Sequence, residues 1–90
     1  MQSQPPPVLN VGFYNYVQTS KIVAMISSES APMRRLIRQF RKEGSNLIDA
    51  TQGRRTKCVI FADSGHVILS AISQETLARR LTRGDLDAGE

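Results

Sequence analysis

The chain has 90 residues, 40% of them hydrophobic, with a formal charge of +4, a single cysteine and a single histidine, which makes it one small domain near the size at which a single core is only marginally stable. One cysteine excludes an internal disulfide, no apolar run reaches the length of a membrane span, and the opening Met-Gln-Ser-Gln-Pro-Pro-Pro lacks the cationic start and apolar stretch of a secretory signal, so a cytoplasmic protein without membrane association is expected. Three acids, Asp85, Asp87 and Glu90, lie in the last seven residues, which leaves residues 1–83 with twelve Lys and Arg against five Asp and Glu, a formal +7 suited to a polyanionic partner.

Residues 1–7 are polar and proline-rich and read as a disordered N-terminal segment, followed by a single domain over 8–83 and an acidic flexible tail over 84–90. Val8 to Phe13 reads as a first strand, with a turn at Tyr14 and Asn15. Tyr16 to Ser27 reads as a second, with Ile22, Ala24 and Ile26 on one face and Val23 and Met25 on the other. Ser30 then caps a helix whose first turn holds Pro32. Met33, Leu36, Ile37 and Phe40 make one apolar stripe along it, and Gly44 ends it. The other side of this helix carries Arg34, Arg38, Arg41 and Lys42, with Arg35 nearby and Glu43 as its one acid. Repeated like charge lowers helix stability, so this side reads as a surface facing an anion.

After the helix, Asn46 to Ala50 reads as a strand and Thr51 to Arg54 as a hairpin turn. Arg55 to Ala62 and His66 to Ala71 read as two further strands, joined by an Asp63-Ser64-Gly65 turn. Ser73 caps a short helix to about Thr82, with Leu77 and Leu81 inward. The fold class is α+β, a small twisted β-sheet with two helices. The strands at 16–27 and 55–62 are apolar on both faces, Val59 and Phe61 opposing Cys58 and Ile60 in the latter. Two helices can cover one sheet face, so the second face, or a sheet edge, is expected to be buried against another copy of the chain.

The chemistry concentrates at residues 49–57, Asp-Ala-Thr-Gln-Gly-Arg-Arg-Thr-Lys. Gly53 supplies the freedom a tight reversal needs. Arg54 and Arg55 present planar guanidinium groups that match phosphate in bidentate geometry, and Lys57 adds a third cation. By contrast, nothing has metal-ligand spacing, and Gly53 and Gly65 stand alone rather than in a phosphate loop. A non-enzymatic protein with no cofactor, metal or small-molecule substrate is therefore expected. Cys58 reads as a core residue, His66 as a local hydrogen-bonding group, and Tyr14 and Tyr16 as packing or interface residues.

Four segments resemble the RemA-like extracellular matrix regulatory proteins, a family of small bacterial DNA-binding proteins. They are Asn10-Val11-Gly12-Phe13 with Asn15; Glu29-Ser30-Ala31-Pro32; Leu47 to Thr51 leading into Gly53-Arg54-Arg55-Thr56; and His66 to Ala71. The resemblance implies a LytTR-like fold assembled into a ring-shaped homo-oligomer, a heptamer or octamer, whose rim arginines bind and bend double-stranded DNA. It also implies control of transcription of matrix and biofilm genes. By position, the family's paired arginines are Arg54 and Arg55, and its early second-strand arginine is Lys21. Lys57 stands where arginine is expected, Tyr14 where glycine is frequent, and one extra residue lies near Ser45 and Asn46. Together the expected DNA-binding residues are Arg54 and Arg55, with Lys21, Lys57, Arg34, Arg35 and Arg38 as weaker members. The alternative is a structural or protein-interaction ring that docks an acidic protein on the same surface.

Overall fold

The computed structural model describes residues 6–44 and 46–83; the expected N-terminal segment up to residue 5, Ser45 and the acidic tail over 84–90 lie outside the described residues. The elements are β1 (Val8–Asn10), β2 (Tyr16–Gln18), a 3-10 turn (Thr19–Lys21), β3 (Ile22–Ser27), α1 (Ala31–Glu43), β4 (Leu47–Asp49), β5 (Cys58–Ala62), β6 (Val67–Ser70) and α2 (Gln74–Arg83). They form an α+β fold with two sheets. β1 and β2 make an antiparallel ribbon, and the other strands form a four-stranded sheet in the order β3-β5-β6-β4. In that sheet β5 is antiparallel to β3 and β6, while β4 runs parallel to β6.

Local signals placed both helices. Ser30 Oγ accepts from the Met33 N–H at 3.2 Å, and Gly44 takes the left-handed conformation at φ 74 while its N–H donates to Phe40 O at 2.8 Å. Ser73 Oγ accepts from the Thr76 N–H at 3.2 Å at the start of α2.

Three strand expectations are corrected. Tyr16 to Ser27 is two strands rather than one, because the polar run Gln18-Thr19-Ser20-Lys21 turns into a 3-10 segment. Ahead of it β2 pairs with β1, and after it β3 pairs with β5. Residues 49–57 are no hairpin, because β6 lies between β4 and β5. The loop of residues 50–57 instead rounds the end of β6, where Leu69 O accepts from Ala50 N–H at 2.9 Å and Ser70 O accepts from Lys57 N–H at 2.8 Å. The pairing of β5 with both neighbours starts only at Cys58, opposite Ser27 of β3 and Ser70 of β6, so β5 begins there and not at Arg55.

The expectation of a bare sheet face is also corrected, because the helices cover opposite faces. On one, Ile37 of α1 packs with Val59, Val67 and Leu69, joined by Met33 and Phe40. Phe40 meets Phe61 edge to face with ring centroids 6.4 Å apart. On the other, α2 and the β1–β2 ribbon bury Leu77, Leu9 and Val11 against Cys58, Ile60 and Ile68. β5 is apolar on both faces since its alternate residues serve both cores. Burial pushes the Cys58 thiol up to about 11, as befits a core residue.

Candidate nucleic-acid interface

The loop of residues 50–57 is held at both ends. At its start, Asp49 Oδ1 accepts from the Thr51 hydroxyl at 2.6 Å and the Thr51 N–H at 2.9 Å, while Asp49 Oδ2 pairs with Arg41 of α1 at 3.0 Å. The Thr51 hydroxyl is the largest influence on the Asp49 carboxyl; burial opposes it, and with the Thr51 N–H and the Arg41 guanidinium added the carboxyl is held below the usual carboxylate range. At its end, buried Ser28 donates its hydroxyl to Thr56 O at 2.6 Å, and its N–H to Lys57 O at 3.1 Å. Between these anchors Arg54 N–H donates to Thr51 O at 3.0 Å. Gln52 and Gly53, with φ 54 and 81, are the two central residues of that tight reversal.

This geometry sends the two neighbouring arginines in different directions. The Arg54 guanidinium lies 4.7 Å from the centre of the Phe13 ring, over the β1–β2 turn. Arg55 instead lines a groove of about 220 Å³ beside α1, together with Ser28, Thr56, Arg34, Arg38 and Arg41. Arg34, Arg38 and Arg41 stand at i, i+4 and i+7, so one flank of α1 presents all three. Arg34 donates to Glu29 O at 2.6 Å, and Arg41 forms a salt bridge with Asp49. Arg38 and Arg55 are therefore the groove guanidinium groups that are not engaged in either contact.

The other expected residues are less central. Arg35 falls on the outer side of α1, where it shares a shallow surface with Arg38 and Lys42. Lys57 is exposed at the same end of the sheet as Arg55. Lys21 is not brought to this cluster. Its carbonyl accepts from Asp63 N–H at 2.8 Å beside the β5–β6 turn, and β3 runs from there to Ser27, opposite Cys58. About 20 Å of extended chain separates it from Lys57.

Sequence reasoning missed several supports of this site. The Asp49-Ala50-Thr51 spacing is the signature of a side chain closing a local turn, so the Asp49 anchor was available to be read. Ser28 and Phe13 carried no local signal, because each acts on a residue 28 or 41 positions away. His66 has the local partner expected of it, Ser64 Oγ lying 2.6 Å from its Nδ1. Among the described residues, no three His, Cys, Asp or Glu side chains are grouped to hold a metal ion, and no helix is long and apolar enough to cross a membrane.

Comparison with known proteins matches residues 8–81 to the family model described as "Extracellular matrix regulatory protein A-like", or RemA-like. A protein of Nitratidesulfovibrio vulgaris is 50% identical over 86 residues, covering 96% of this chain and 97% of its own. One from Halalkalibacterium halodurans is 52% identical over 83 residues, 92% of this chain and 94% of its own. One from Synechococcus elongatus is 52% identical over 81 residues, 88% and 92% respectively. All three carry names that begin "Putative regulatory protein".

Proposed function

The chain belongs to the RemA-like family, the matched residues taking in α1 and the whole 50–57 loop, and from that premise we propose that it is a regulatory protein that binds duplex DNA as a ring of identical subunits. The observation that carries this reading is the groove in which Arg38 and Arg55, from elements 17 residues apart in sequence, line one concavity with Arg34. Gathering like charges is unfavourable in the free protein and becomes favourable when phosphates occupy the groove. Arg38 and Arg55 then grip a phosphate, with Arg34, Lys57 and the outward Arg35 on its neighbours and Arg54 at the adjoining tip.

A ring suits such a small site. Each subunit reaches few phosphates, and several subunits on one bent duplex add their contacts at high effective concentration. β3 and β4 are the two edges of the four-stranded sheet, and they expose Val23 at 68% and Ile48 at 48%. Contact of one such edge with the opposite edge of the next copy is heterologous, the kind that closes a ring. DNA bending and control of matrix and biofilm genes follow from the family resemblance as the regulatory outcome.

The test is binding of a fluorescent duplex of about 60 base pairs across a salt series, wild type against Arg38→Ala/Arg55→Ala, with sedimentation alongside. If the ring neutralises six to ten phosphates, affinity falls roughly 10³ to 10⁵ between about 50 and 200 mM salt. The double variant is expected to lose binding and keep its assembly. Wild type that fails to bind even at low salt would remove the DNA reading and leave an acidic protein as the partner.

A further inference from the structure

The turn that joins β1 to β2 is built against backbone preference. Asn15 N–H donates to Gly12 O at 3.0 Å, and the two residues between them, Phe13 at φ 55 and Tyr14 at φ 62, both occupy the left-handed region. That geometry favours Asn-Gly or Gly-Gly pairs, and bulky side chains adopt it only where something compensates. Phe13 has a compensation, since it is half-buried and carries the Arg54 guanidinium on its ring. Tyr14 has no such packing, being 84% exposed, the most of any large hydrophobic residue among those described.

The strained residue therefore stands at a tip where two tight reversals meet, 12–15 and 51–54, joined by the Arg54–Phe13 contact. A guanidinium stacked on a ring keeps its edge N–H groups free to donate in the ring plane, which suits a phosphate oxygen. An exposed aromatic beside such a cation is the pairing that unstacks a base step while neutralising its backbone. We propose that Tyr14 is a base-stacking residue that enters a kinked step of the bound duplex, with Arg54 on the adjacent phosphate. This rests on the DNA-binding reading, and it gives the Arg54 tip a task distinct from the phosphate grip of Arg38 and Arg55.

Two variants test it. Tyr14→Gly suits the positive φ and should fold at least as stably as wild type, and Tyr14→Phe keeps the ring. Each is bound to an A·T-rich duplex with several TA steps, which kink readily, and unstacked thymines are read by their permanganate reactivity. Wild type and Tyr14→Phe should produce hyper-reactive thymines. Tyr14→Gly should abolish them and weaken binding roughly tenfold, with an unchanged sedimentation coefficient and a melting temperature equal to or above that of wild type. Tyr14→Gly that binds and unstacks like wild type overturns the proposal while leaving the DNA reading intact, provided that Arg38→Ala/Arg55→Ala abolishes binding. Tyr14→Gly that sediments as a smaller species overturns it too, by making Tyr14 an assembly contact. Wild type that binds no duplex overturns both readings.

Discussion

On one face of the four-stranded sheet, α2 and the β1–β2 ribbon together bury Leu9, Cys58, Ile60 and Leu77 completely; on the other, α1 alone buries Val59 and Leu69 completely, while its own Ile37 keeps 7% exposure beside a flank of arginines. A small chain thus keeps a closed core on one side of its sheet and an open cationic groove on the other. Two elements pack over the first face. One helix on the second face leaves a gap between its flank and the 50–57 loop, and that gap is the arginine groove.

The largest effects are expected in the two cores. Leu77→Ala should cost about 2–5 kcal/mol in chemical denaturation, and Ile37→Ala should fall at the lower end of that range, because its site is less enclosed. A larger loss from Ile37→Ala would reverse the ranking of the two faces. Next, Arg54→Ala/Arg55→Ala removes one cation from each side of the loop. It should abolish duplex binding at moderate salt and leave assembly intact, and whatever binding survives at low salt should show a slope of log affinity against log salt shallower by about 1 for each phosphate that is no longer neutralised. Monomers in sedimentation would instead make these arginines interface residues.

Smaller effects sharpen the picture around Asp49. Asp49→Ala removes two bonds to Thr51 and the exposed pair with Arg41, and should cost about 1–2 kcal/mol, most of it from the bonds to Thr51. Its pH dependence has a definite sign. The folded-state value lies below the unfolded one, so the stabilisation is fully present above the unfolded carboxylate range and is lost as pH falls through the folded value. Acid titration of unfolding should show this component in wild type and lose it in Asp49→Ala. The smallest effect belongs to Lys21→Ala, which should change duplex affinity by no more than about twofold, as for one exposed charge away from the groove. A loss as large as that expected of Arg54→Ala/Arg55→Ala would put the far end of the sheet in contact with DNA.

Much of the fold was legible because its signals are local. Ser30, the Met33-Leu36-Ile37-Phe40 stripe and Gly44 bracket α1, and the two-faced apolar pattern of β5 marked a central strand before any partner was known. The turn at Gly53 was legible for the same reason, but not what it connects. That β5 pairs with β3 and β6, while β4 runs parallel to β6 on its other side, is a long-range pairing that no spacing near residue 50 encodes. Likewise the split at Thr19–Lys21 follows from β2 leaving for the β1 ribbon, a long-range outcome.

A small basic α+β chain with arginines gathered on one helix and one loop is written in local signals, since composition, helical periodicity and turn residues act within a few positions of each other. Long-range packing is what brings Arg55 to Arg34 and Arg38 while its neighbour Arg54 turns to Phe13, and what leaves Lys21 apart. The two arginine placements arise when the loop is anchored at Asp49 and Ser28, and that of Lys21 from its position beside the β5–β6 turn. Fixing the backbone between two distant anchors sends adjacent side chains to opposite sides, whatever their chemical likeness.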